Sequence, residues 1–236
     1  MDWYWLVGML LLGYLIGSIS FARIVTRLVA GKNIADFEIP LAGSDEKYKV
    51  VSIGANSVSR ELGKGWGMAA GLLDILKAFL PTLAVKLLFP AEYFYLWVGL
   101  ACMGGHIFPI YYRFHGSSGW AVATGVLLVV SWPAVPVTIV LGILLGLLVF
   151  RSVVAATLAW MWLLIPWMWF AFHDWRYVLF ALGINLLFWL SMLPEIRIAN
   201  KYKAEGRYHE YALGSMASTP MGRSTMKLAE RFGIKM

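Results

Sequence analysis

Residues 92–131 read EYFYLWVGLACMGGHIFPIYYRFHGSSGWAVATGVLLVVS: two apolar runs joined by a polar stretch that carries His106, Arg113 and the loop Gly116-Ser117-Ser118-Gly119. A helix facing lipid has no use for a His, an Arg and a serine-glycine loop at one end. A site that holds an anion at the bilayer surface does. The stretch therefore predicts a membrane-embedded chain with its polar chemistry gathered at one interface.

Composition supports that reading. Of 236 residues, 60% are apolar and 14% charged, and the mean hydropathy is +0.71. Such a balance lies far from that of soluble domains. The net charge of +7 reads as positive flanks meeting anionic lipid, or an anionic substrate, and not as a nucleic-acid surface. Cys102 stands alone, which excludes a disulfide framework. The first apolar run follows Asp2 with no basic flank or small-residue cleavage site, so it reads as a retained helix rather than a signal peptide.

Seven apolar segments are expected, at 3–28, 67–89, 92–112, 120–131, 134–150, 153–171 and 177–193. The fourth is short for a hydrocarbon layer of about 30 Å, and Trp132-Pro133 divides it from the fifth, so six spans is the alternative. The expected fold class is all-α: a polytopic membrane helical bundle of about seven transmembrane helices with cytoplasmic glycine-rich loops. A membrane domain at 1–194 includes a cytoplasmic loop at 31–64, and a basic cytoplasmic tail follows at 195–236. Arg23, Arg27, Lys32, Lys47, Lys49, Arg60, Lys64, Arg113, Arg151 and eight further tail cations fall on one side. The other side holds little besides Arg176, with Lys86 able to snorkel from a helix end. The positive-inside rule then puts the N-terminus outside and the C-terminus in the cytoplasm. Trp and Tyr near the run ends suit interfacial belts, and Gly13/Gly17, Gly67/Gly71 and Gly142/Gly146 read as close-packing pairs. No fixed-period repeat supports a transporter built from inverted halves.

Four polar constellations remain. Ser18 and Ser20 near Arg23 suit a headgroup, or serine back-bonding to the helix. In Ser52-Ile53-Gly54-Ala55-Asn56-Ser57-Val58-Ser59-Arg60-Glu61-Leu62-Gly63-Lys64-Gly65, glycines let backbone N–H groups converge on an anion while Ser, Asn, Arg and Lys add donors and charge. A capped surface loop is the plainer alternative, and the spacing is not that of a Walker loop. Asp74 and Lys77 share one helix face at membrane depth, as a substrate contact or as a mutual ion pair. Gly116-Ser117-Ser118-Gly119 before a helix start is a phosphate cradle, with His106 beside it as a proton carrier or a structural residue. The four histidines have no metal-ligand spacing, so no metal or other cofactor is expected.

These blocks, in their order, resemble the acyl-phosphate:glycerol-3-phosphate acyltransferases (PlsY), bacterial membrane enzymes with seven spans, an external N-terminus and a cytoplasmic active site. Gly13-Tyr14-Leu15-Ile16-Gly17-Ser18-Ile19 is similar to the family's GYLxGSIP. Ile53-Gly54-Ala55 with Arg60 and Gly63-Lys64-Gly65 is similar to GNxGATNxxRxxGKG. Leu73-Asp74-Ile75-Leu76-Lys77 is similar to FDxLKG, and Gly105-His106-Ile107-Phe108-Pro109 to GHxFP. The chain departs from the pattern where Ser118 stands for the lysine of GGKG, and where Ser52, Asn56 and Ser57 replace Asn, Thr and Asn. It departs again at Ser191–Ile196 and Arg197–Asn200, where neither register keeps the family's His–Asn pair. Residues 34–49 read as an insertion, and the tail after Glu205 is long.

The resemblance implies transfer of an acyl chain from acyl phosphate to glycerol 3-phosphate, giving lysophosphatidate, at a bacterial inner membrane and without metal or nucleotide. By that resemblance His106, Ser118 and Arg60 are the candidate catalytic residues. The candidate phosphate-binding set is Ser18, Ser52, Gly54, Asn56, Ser57, Lys64, Asp74, Lys77, Gly116, Ser117, Gly119 and Ser152. Glu195, Arg197 or Asn200 would replace the missing polar pair. The alternative is a non-catalytic structural or lipid-binding subunit of a membrane complex, meeting a protein partner through loop 31–64 or tail 195–236. An amphipathic segment at 226–236 favours such a surface role. Replacement polar groups that converge in one cytoplasmic pocket with Arg60 and Lys64 favour the enzyme; a pocket filled with apolar side chains favours the subunit.

Overall fold

The computed structural model describes residues 3–34, 38–49, 51–218 and 220–231. Apolar runs become helices because hydrocarbon offers their backbone N–H and C=O groups no partner outside the segment. In chain order the elements are α1 (Trp3–Gly17), α2 (Phe21–Ala30), β1 (Glu38–Pro40), β2 (Lys47–Lys49), α3 (Ala55–Leu62), α4 (Lys64–Leu88) and α5 (Phe94–Ile107). There follow α6 (Trp120–Ser131), α7 (Ala134–Leu144) with a wider π turn at Leu145–Val149, α8 (Val153–Phe172), α9 (Trp175–Ala204), α10 (Tyr208–Ala217) and α11 (Pro220–Arg231). Each of the seven expected apolar segments is helical. Four stretches, Trp3–Ala30, Lys64–Leu88, Phe94–Tyr112 and Trp175–Ala204, are long and apolar enough to cross a membrane; Trp120–Ser131, Ala134–Val149 and Leu158–Phe172 are shorter.

The core lies where α5, α6, α8 and α9 face one another, around Leu96, Met103, Leu127, Met161, Leu164, Phe180 and Phe188. Leu72, Leu80, Leu87, Phe170 and Leu186 point outward, as lipid-facing side chains must. The small-residue pairs are packing surfaces. A Cβ on Gly17 would collide with the Cys102 carbonyl of α5, and one on Gly105 with the Tyr14 carbonyl of α1. Gly67 lies against Ser59 of α3, while Gly142 and Gly146 meet the backbone of α8 at Trp160 and Ala156.

Two expectations need correction. The first run is not one helix to residue 28: it breaks over residues 18–20 between α1 and α2. The break releases the Ile19 carbonyl to accept a hydrogen bond from Lys77 Nζ of α4 at 2.5 Å, a partner far along the chain that local periodicity cannot reveal. Lys86 does not run out to the surface. Its amine donates to the Val129 carbonyl of α6 at 2.6 Å and lies over the Tyr95 ring. At the far end Arg176 pairs with Asp174 at 2.9 Å and stacks over Tyr93. The Arg176 hydrogen bonds hold the Asp174 carboxyl below its usual range.

The strands lie outside the bundle, within the inserted segment. β1 and β2 pair antiparallel with Ile39 opposite Tyr48. α9 runs through Pro194 to Ala204, so the first ten residues of the tail continue the last membrane helix. α10 then folds back onto the hairpin. Arg207 reaches Glu46 at 2.8 Å and Glu210 at 2.9 Å, the Ala42 N–H donates to the Glu210 carbonyl, and Tyr48 packs on Tyr202 and Tyr211. Gly214 allows the approach, because a Cβ there would press on the Pro40 carbonyl. The insertion and the tail, both read as partner surfaces, cover each other. Of the segment 226–236, α11 takes in the part up to Arg231; residues 232–236 lie outside the described residues.

Candidate functional site

The site is built on a break, a buried node and a loop. At the node, Lys77 Nζ lies 2.8 Å from Asp74 Oδ1, 2.9 Å from His106 Nδ1 and within reach of the Ile19 carbonyl. An ammonium group has three donors and no acceptor, so His106 accepts at Nδ1 and is the neutral Nε2–H tautomer. Asp74, Lys77 and His106 are each buried, at 1%, 6% and 5% exposure. The four segments α1, α2, α4 and α5 are tied together here.

From the node, α5 ends and the chain turns sharply. The Phe108 carbonyl accepts from Tyr14 Oη at 2.7 Å, and a single helical turn spans Ile110–Tyr112. Arg113 and Phe114 then take left-handed backbone conformations (φ 52° and 61°), which cost non-glycine residues about 1–3 kcal/mol each. The reversal brings Gly116 back under α5, where a Cβ would strike the His106 and Ile107 carbonyls. The Ser117 N–H donates to the His106 carbonyl at 3.3 Å, and the Ile53 N–H to the Gly116 carbonyl at 2.9 Å. Ser117 fills the space a side chain at Gly54 would need. The two glycine-bearing loops therefore interlock.

Beside that seam a cleft of about 730 Å³ opens between α2, β2, the α5–α6 loop and α9. Arg23, Lys49, Arg113 and Arg197 line it, with His115 at the edge and no carboxylate among the described lining residues. Ser52, Gly116, Ser117 and Ser191 supply its polar floor. Arg23 Nη2 donates to the His115 carbonyl at 2.7 Å and its guanidinium lies over the Tyr112 ring, while its buried Nε has no hydrogen-bond partner among the described residues. Lys49, Arg113 and Arg197 are exposed and make no ion pair among the described residues. Cations from four segments thus face one open space, an arrangement chemically suited to an anion such as phosphate.

The residues expected from the sequence divide around this cleft. Ser52, Gly116 and Ser117 line it. Gly54 and Ser57 support it, Ser57 Oγ donating to the Ser52 carbonyl at 2.9 Å. Asp74, Lys77 and His106 form the buried node beneath, and Ser18 caps α1 through its own helix by donating to the Tyr14 carbonyl. Gly119 starts α6, and Ser118 is joined to α9 where Ser191 Oγ donates to its carbonyl at 3.3 Å. Asn56 and Lys64 are exposed outside the lining, and Ser152 caps α8 by accepting from Ala155 N–H. Arg60 turns toward the added hairpin and tail, in the field of Tyr48 and Glu195. Burial lowers its guanidinium pKa, opposed by those two groups and Glu61, and burial raises the Tyr48 phenol. Glu195 faces Arg60, Asn200 is exposed outside the lining, and only Arg197 of the three replacement candidates enters the cleft. Sequence reasoning missed Lys49 and Ser191, and it left Arg23 and Arg113 out of the candidate residues although both stood in the polar stretches it singled out. A surplus of cations in every segment at this end was the available signal.

Fold and cleft together define a multi-pass helical membrane protein with a cation-lined cleft at its helix ends. A family model described as glycerol-3-phosphate acyltransferase matches residues 7–200, and the chain belongs to that family. The glycerol-3-phosphate acyltransferase of Myxococcus xanthus is 42% identical over 123 residues, 52% of this chain and 58% of that protein. That of Rhodopseudomonas palustris is 34% identical over 186 residues, 78% of this chain and 87% of that protein. The matched part thus spans less than two thirds of the Myxococcus relative's length. The crystal structure of PlsY, an integral membrane glycerol 3-phosphate acyltransferase, in its glycerol 3-phosphate form is 26% identical with a TM-score of 0.62. The match covers 86% of this chain and 93% of that one. The lysophosphatidic acid form, 24% identical with a TM-score of 0.64, has the same fold.

Proposed function

We propose that this chain transfers the acyl group of an acyl phosphate to the primary hydroxyl of glycerol 3-phosphate, yielding lysophosphatidate and inorganic phosphate. One observation carries the reading. Glycines of the family's blocks, Gly17, Gly54, Gly105 and Gly116, serve as packing elements, and beside them stands an open cleft lined by Arg23, Lys49, Arg113 and Arg197, although Arg60 and Lys64 stay outside its lining. In the transfer, the hydroxyl oxygen attacks the acyl carbonyl carbon, the bond from that carbon to the phosphate oxygen breaks, and the hydroxyl proton leaves with the departing phosphate. The acyl phosphate is already activated, so the protein's part is to position two phosphates and hold their charge as the bond breaks. Arg23, Arg113 and Arg197 suit that part. His106, buried and engaged with Lys77, holds the loop through its carbonyl rather than reaching substrate.

The cation-rich end is then cytoplasmic and the N-terminus external, in a bacterial inner membrane with lipid as the surrounding partner. The test is transfer by the purified protein in lipid, with palmitoyl phosphate and labelled glycerol 3-phosphate. Lysophosphatidate and phosphate should appear in equal amounts, and Arg23→Gln should slow the reaction by roughly ten-fold or more, the value of a charge-assisted hydrogen bond. A folded sample that makes no product above background defeats the proposal.

A further inference from the structure

Two of the four cleft cations come from parts of the chain that depart from the family pattern: Lys49 from the inserted hairpin, and Arg197 from the α9 segment that lacks the family's His–Asn pair. Their placement is built. In β2, alternation turns Tyr48 onto Tyr202 and Tyr211 and sends Lys49 the other way, toward the cleft. The hairpin that carries Lys49 is fixed by Arg207 to Glu46 and by the Ala42 N–H to the Glu210 carbonyl. Glu38 stands opposite Lys49 in the strand register, but the two form no ion pair and only Lys49 lines the cleft. A phosphomonoester carries roughly −1.5 to −2 charges at neutral pH, so two of them are balanced by about four cations. Arg23 and Arg113 alone supply half of that number. Ser118, where the resemblance expects a lysine, supplies none.

We propose that Lys49 and Arg197 bind the phosphate of the water-soluble phosphomonoester substrate, so that the hairpin–tail unit completes the site with charge the loop at 116–119 lacks. This rests on the acyl-transfer reading for its substrate, but the binding chemistry stands apart from turnover. It is tested on the full-length protein in lipid in two ways: by calorimetric titration with glycerol 3-phosphate and with inorganic phosphate, and by the steady-state constants of transfer. Lys49→Gln and Arg197→Gln should each weaken binding of both probes by roughly ten-fold and raise KM for glycerol 3-phosphate alike, with a smaller change in kcat. Lys49→Arg, which keeps the charge, should stay near wild type. Unchanged phosphate affinity in both Gln variants overturns the proposal, as does Lys49→Arg failing as badly as Lys49→Gln in a folded sample. Wild-type protein that binds phosphate through Lys49 but forms no lysophosphatidate supports this inference and sinks the transfer reading. Transfer with a KM indifferent to Lys49 and Arg197 does the reverse.

Discussion

Asp74, Lys77 and His106 are buried where α4 and α5 meet the break between α1 and α2, with Lys77 Nζ directed at Asp74, His106 and the Ile19 carbonyl, whereas Lys49, Arg113 and Arg197 are exposed on three separate segments. The first group keeps the family pattern residue for residue; in the second, Lys49 and Arg197 come from segments that depart from it. The difference is one of dielectric. In the buried group each charge is tolerable only because the other is present, so neither can change alone. At the cleft rim a charge is hydrated when no phosphate is bound, and any nearby segment can provide it.

The sharpest way to break this contrast is Lys77→Met. It leaves Asp74 buried without its cation and should cost about 3–5 kcal/mol, read by denaturant or thermal unfolding in detergent. Adding Asp74→Leu should recover much of that loss; two losses that simply add would mean the pair is not coupled. Gly116→Ala joins the two regions, since its Cβ meets the His106 and Ile107 carbonyls, which cannot move without shifting α5. A loss of about 1–3 kcal/mol is expected there, together with weaker phosphate binding. Lys64→Ala should do least. Lys64 is exposed at the start of α4 and outside the cleft lining, so stability should stay within about 0.5 kcal/mol and KM within two-fold. A ten-fold rise in KM would extend the site to α4.

The membrane segments and their glycine contacts were legible in the sequence because hydropathy and small-residue spacing are local signals. The break at 18–20 was not, since the partner that takes up its freed Ile19 carbonyl, Lys77, arrives from far along the chain. Nor was the destination of Arg60. Its motif resembles a phosphate-binding one, but Tyr48 and Glu195, from an insertion and a distant helix, claim its surroundings. Of the candidate site, the loop residues Ser52, Gly116 and Ser117 were found, as their backbone role is written in the glycines. The cations were harder, because an exposed Arg or Lys reads the same in sequence whether it meets water or a cleft. Arg197 surfaced only as a substitute for a missing pair, and Lys49 as part of an insertion whose docking against Tyr202 and Tyr211 no local pattern announces.

The brevity of α6 bears on how far the loop at 116–119 lies from the membrane surface. Twelve residues rise about 18 Å, against a hydrocarbon layer of about 30 Å. With the exposed Trp132 at one interface, a helix of that length leaves the loop at 116–119 short of the opposite one. On the acyl-transfer proposal, a donor lipid would keep its chain among its neighbours in the membrane, and the small soluble substrate would come down to meet its carbonyl.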